Sequence, residues 1–111
     1  MIEPDYLEKV AARLDGIETK LADPATVSNR TRYRELLTEH AHLKRLHGCA
    51  ETYLRLAGDR EEHQALVDDP ETDAELRELA ESEIAEAAEK LPAAERALKV
   101  ALLPPSPDDN R

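Results

Sequence analysis

Apolar residues return along this chain in steps of three and four, the spacing that lays a single stripe down a helix. The longest run is in the middle. Leu36, His40, Leu43, His47, Ala50, Leu54 and Ala57 alternate by fours and threes, the seam of a heptad pattern. Leu37, Leu46 and Tyr53 widen that seam into a stripe that suits more than one neighbour. The pattern predicts one helix over about 29–67, with Ser28 as its N-cap. At 1.5 Å per residue such a helix measures roughly 60 Å, too long to be the core of a compact globule of this size, so the flanking segments must cover its stripe. Gly58-Asp59 is its weakest point, but the helical pattern resumes through Glu61, Glu62, Leu66 and Val67 and favours continuity.

Upstream, Leu7, Val10, Leu14, Ile17 and Leu21 predict a first helix over about 5–22. Pro4-Asp5 suits its start, and Asp23-Pro24 ends it, because a residue before proline is pushed out of the α region. Gly16 falls on the polar side of this stripe, where it costs ~1 kcal/mol of helix propensity against alanine. Downstream, Asp68-Asp69-Pro70-Glu71 combines a turn with helix-start signals. Leu76, Ala80, Ile84, Ala87, Leu91, Ala94, Leu98 and Ala101 then predict a third helix over about 72–102. Pro92 lies inside it and is expected to bend it, since proline cannot donate to the Ala88 carbonyl. Pro104, Pro105 and Pro107 leave 104–111 as an extended linker after a helical domain over 1–103.

The lengths dictate the architecture: all-α, a three-helix bundle with a long antiparallel coiled-coil hairpin. The second and third helices pair with their tip at 68–71, and the first, about half as long, covers only the end remote from that tip.

Composition strengthens this reading. The 111 residues contain no Phe and no Trp, and 36% are charged, a Leu/Ala-rich, highly charged mixture typical of coiled coils. No apolar run approaches the ~18–20 residues of a membrane span, and nothing resembles a signal peptide. The single cysteine, Cys49, allows no internal disulfide, so a reducing, cytoplasmic setting is the expectation. The net charge of −10 is unevenly spread: residues 1–23 carry −3, residues 24–67 carry +1 and residues 68–111 carry −8. That balance argues against the whole domain wrapping nucleic acid.

Candidate chemistry is sparse. His40 and His47 share a seam but stand about 10 Å apart along the axis, too far to share a metal, and His42 points elsewhere. Cys49 has no CxxC partner and reads as a small, partly buried residue. There is no phosphate-binding glycine loop and no nucleophile elbow. A small all-α enzyme that grips an anionic substrate needs inward-facing cations, whereas this seam is Leu, Ala, His and Ile. No catalytic residue, cofactor, metal or small-molecule ligand is therefore expected. The best interaction candidate is Arg30, Arg32 and Arg34. Their plain alternative is a solvated face paired with nearby glutamates, which contributes little. Their placement at a helix N-terminus opposes the helix dipole, which keeps a docking role open beside that plainer reading. The acidic face of the third helix (Glu75, Glu78, Glu81, Glu86, Glu89) reads either as a solubilising surface or as a match for a basic protein partner.

Several stretches taken in order resemble the bacterial class I peptide chain release factors. Asp23-Pro24-Ala25-Thr26-Val27-Ser28, Arg32-Tyr33-Arg34-Glu35-Leu36 and Glu39-His40-Ala41-His42-Leu43 resemble the start of that family's long helix. Asp68-Asp69-Pro70-Glu71 with Glu78-Leu79-Ala80 resembles its hairpin turn. The most specific piece is Leu102-Leu103-Pro104-Pro105-Ser106-Pro107-Asp108-Asp109-Asn110-Arg111. It is similar to the junction leading into the decoding domain, in the proline-and-aspartate form of the family's type 1 branch. Asn29-Arg30-Thr31, where the family commonly has acidic residues, and Pro92 depart from the pattern.

The resemblance implies translation termination at UAA and UAG. It also implies docking to the ribosome at the large-subunit stalk base and to the class II release factor. The family's stop-codon-reading tripeptide and Gly-Gly-Gln loop have no counterpart in these 111 residues, so no catalytic role carries over. The competing expectation is a free-standing coiled-coil adaptor or dimerisation module, in which an exposed hairpin stripe pairs with a second copy.

Overall fold

The computed structural model describes residues 4–103; the linker expected over 104–111 lies outside the described residues. Among the described residues the chain is all-α, with four helices: α1 (Pro4–Leu21), α2 (Pro24–Ser28), α3 (Arg30–Asp68) and α4 (Ala74–Leu102). The long α3 continues through Gly48 and Gly58, and α4 continues through Pro92.

The N-terminal connection differs from the expected short loop. Asp23 does more than close α1. Its carboxylate accepts from the Ala25 amide at 3.0 Å, and Pro24 supplies a first helical residue that needs no donor, so a five-residue helix, α2, starts at once. Ser28 is therefore not the N-cap of the long helix. It is the last residue of α2, and its hydroxyl donates back to the Pro24 carbonyl at 2.9 Å. Asn29 takes the capping place: its backbone is extended (φ −96°, ψ 96°), and its side-chain oxygen accepts from the Arg32 amide at 3.1 Å. Either residue type caps well, so the four residues of α2 that precede Ser28 decide between them.

The residues fall into two compact units. The first comprises α1, α2, the start of α3 up to Ala50, and α4 from Ala101 onward. It is a helical bundle whose core is Val10, Ile17, Leu36, Leu46, Ala50 and Ala101. Ile17 and Leu36 are wholly buried, each contributing about 1.5–3 kcal/mol relative to an exposed side chain. Polar contacts tie α1 to α3. Arg13 grips Glu39 with Nε at 2.7 Å and Nη2 at 2.8 Å, and Glu18 meets His40 at 3.0 Å.

The second unit, residues 51–100, is a helical hairpin: the rest of α3, a short turn, and α4. Its buried residues are Ala80, Ala87 and Leu98, all on α4. The turn is closed by local bonds. Asp69 accepts from the Glu71 amide at 2.9 Å, and Asp73 caps α4 by accepting from the Leu76 amide at 2.8 Å. Arg77 Nη2 donates to the Asp69 and Thr72 carbonyls at 3.0 and 3.1 Å. The start of α4 thus falls two residues later than the expected 72, because Asp73 captures the first turn.

Candidate docking surface

The three arginines singled out in the sequence all lie exposed in the first turns of α3, but they do not act as one group. Residues two apart on a helix face different ways, whereas residues four apart stack. Arg30 and Arg34 accordingly share a face. Together with Thr31, Glu35, Thr38, Glu39, His42 and Leu43 they line a concavity of about 560 Å³. Arg32 points away from it and approaches Glu35 at 3.7 Å.

The charges within the concavity are not balanced by each other. Its two carboxylates are engaged from outside: Glu35 by Arg32, and Glu39 by the two-pronged grip of Arg13. The Arg13 hydrogen bond is the largest influence on Glu39 and holds its carboxyl below the ordinary carboxylate value, against the opposing effect of partial burial; the charges of Arg13, Arg32 and Lys20 add to it. The reciprocal bond, and then the charge of Glu39, raise Arg13 above its usual value. Among the described residues, Arg30 and Arg34 carry no such ion pair. They sit at a helix N-terminus, whose dipole presents partial positive charge. The result is a groove with two guanidinium groups that hold no ion pair among the described residues, a hydroxyl donor at Thr31, and an apolar wall at Leu43, while the Thr38 hydroxyl is spent on the Arg34 carbonyl at 3.1 Å. Such a surface suits an anion with oxygen acceptors, a carboxylate or phosphate held by forked arginine donors.

The histidines do not converge. His40 faces Glu18, and His63 uses Nδ1 to contact the Asp59 carbonyl at 2.7 Å within its own helix. Cys49 is free and half-buried. Among the described residues no three His, Cys, Asp or Glu side chains come together in a metal-binding group, and no helix is long and apolar enough to cross a membrane. In the second unit, Tyr53, Ala57, Arg60, Glu61, Gln64, Leu91 and Glu95 line a further concavity of about 360 Å³.

Arg13 escaped the sequence reading because its partner is 26 residues away, and nothing local announces such a pair. Asp73 was easier to find: an aspartate directly before an Ala-Glu-Leu helical start is a capping signal, masked here by the stronger Pro70 cue.

The family described as "PCRF domain" matches residues 10–111. The "Peptide chain release factor 1" of Maridesulfovibrio salexigens is 37% identical over 105 residues, covering 95% of this chain and 29% of the relative. That of Bacteroides thetaiotaomicron is 34% identical over 107 residues, covering 96% of this chain and again 29% of the relative. The chain thus spans under a third of the length of these relatives. No solved structure matches.

Proposed function

The chain belongs to the PCRF domain family, and from that premise we propose that it serves translation termination as the helical N-terminal domain of a type 1 peptide chain release factor. The observation that carries this reading is the family match across 10–111, joined to 34–37% identity with factors of that name over nearly the whole chain. In the intact factor, release of the peptide at UAA and UAG belongs to other regions. This domain contributes docking and no chemistry of its own, in a cytoplasmic setting. Its partners are the stalk base of the large ribosomal subunit and the class II release factor.

The groove at the start of α3 is the docking surface in this proposal. Among the described residues Arg30 and Arg34 hold no ion pair and line the groove, where they can meet phosphate or carboxylate oxygens, and Arg32 stands on the adjoining face, 3.7 Å from Glu35. Ribosomal RNA offers phosphates in abundance, and phosphate contacts of this kind position a protein without reading sequence.

Deleting residues 1–103 from the intact factor tests the proposal. Engagement of the ribosome or of the class II factor should weaken, while the hydrolytic step at saturating factor persists. Unchanged release and unchanged recycling would remove the docking role. Reading the coding sequence past Arg111 separates a termination factor from a free-standing adaptor, since only the former continues toward a Gly-Gly-Gln segment.

A further inference from the structure

The first turns of α4 present a second surface, opposite in character to the arginine groove. Leu76 and Leu79 are 41% and 58% exposed. Leu76 occupies a seam position yet is uncovered. Leu79, one turn further on, points outside the seam altogether. Glu75, Leu79, Glu83 and Glu86 follow one another by four, four and three residues along the same face, and all are exposed. From Glu78 to Glu89 the helix carries Glu78, Glu81, Glu83, Glu86 and Glu89 and no basic residue. None of these glutamates forms an ion pair among the described residues. Two leucines within an acidic surround have the anatomy of a small interface, with an apolar centre and a charged rim.

We infer that this face of α4 is a docking surface for a basic amphipathic protein helix, one that sets apolar side chains against Leu76 and Leu79 and lysines or arginines against the surrounding glutamates. Charge complementarity selects this occupant. A second copy would bring the same acidic face and be repelled, and a nucleic acid would be repelled more strongly. Laying the apolar stripe of a helix along exposed leucines is a common mode of peptide recognition. The face is also held ready in advance. Asp73 caps the helix at its base, and Arg77 ties the preceding turn to it through the Asp69 and Thr72 carbonyls, so little ordering is needed on binding. The inference stands apart from the arginine groove, which takes negative charge.

A fluorescent synthetic helix with two leucines one turn apart, ringed by lysines, supplies the probe. It is titrated with the full chain and followed by anisotropy, beside a control peptide with alanines in place of both leucines. The leucine peptide should bind, and the control should bind more weakly. Leu79→Ser should weaken binding by about fivefold or more, as truncation of an anchoring side chain does. Glu83→Lys combined with Glu86→Lys should weaken it too, and rising salt should lessen it. Should Leu79→Ser lose helical circular dichroism, the lysine variant decides. Arg30→Ala with Arg34→Ala should leave peptide binding unchanged, which separates this surface from the proposed ribosomal one. Equal binding of the two peptides, or indifference to both sets of α4 substitutions, would overturn the inference. A dimer in sedimentation that Leu79→Ser dissolves would also overturn it, by assigning the face to a second copy.

Discussion

The two units bury their helices with different side chains. In the first, α3 contributes Leu36, Leu46 and Ala50 to a core that also holds Val10 and Ile17. In the second, α3 contributes no fully buried residue: Tyr53, Leu54, Leu56, Ala57, Leu66 and Val67 are all half-buried. What is buried there is mostly alanine, at positions 80 and 87 of α4. Helix periodicity is the same in both, so sequence pattern alone does not separate them. The number of neighbours does. Two helices touch along one line and leave the flanks of each seam in water, whereas further helical segments close those flanks. A seam of alanines lets a pair approach closely but supplies little apolar area. The lesson is that the first unit is held by its core, while the second is held by its caps, its turn and a thin seam, and offers its surface for contact.

The largest effects should therefore come from the first unit. Ile17→Ala or Leu36→Ala should destabilise the chain by about 2–5 kcal/mol in urea denaturation, combining lost transfer energy with an unfilled cavity. Leu66→Ala, a change of the same size at a half-buried site of the second unit, should cost less than ~2 kcal/mol. Equal losses at Leu36 and Leu66 would erase the contrast. Next in size is the cap. Asp73→Ala should cost about 1 kcal/mol and raise hydrogen exchange in the first turn of α4 far more than in α1. A rise spread evenly over both helices would show that the hairpin does not open by itself.

The smallest effect sharpens the contrast from the electrostatic side. The Arg13 bond holds Glu39 below the ordinary carboxylate value. A carboxyl depressed in the folded state contributes stability that is fully present above its unfolded value and disappears as pH falls through its lower folded value. Replacing Arg13 with Met should thus reduce stability slightly at neutral pH and bring the variant and parent curves together in acid. A difference that persisted below the folded value of Glu39 would assign the loss to packing of the Arg13 stem.

Much of the fold was legible because 3/4 spacing is a strong signal over long segments. Val10, Ile17, Leu36, Ala50, Ala80, Ala87, Leu98 and Ala101 all fell on the expected stripes and are buried. The helix α2 was not legible, since five residues are too few to show a period and its start signal, Asp23-Pro24, is also a stop signal. The site was half legible. Arginine identity and position at the helix start were plain, but the three were expected to act as one group, and their two-residue spacing, which sets Arg32 on another face than Arg30 and Arg34, was not used. The engagement of Glu39 by Arg13 was hidden, because it depends on α1 meeting α3. Without that pairing, the groove would have read as balanced charge.

One comparison decides most directly whether the arginine groove is a docking surface. In the intact release factor, Arg30→Ala with Arg34→Ala is measured against Arg32→Ala for peptide release on ribosomes halted at a stop codon, across a range of factor concentrations. The groove variant should need more factor to reach half-maximal release, with the maximal rate unchanged and the difference shrinking as salt rises; Arg32→Ala should have the weaker effect. A groove variant with the parent's half-saturation, or one that lowers only the maximal rate, would contradict docking through Arg30 and Arg34.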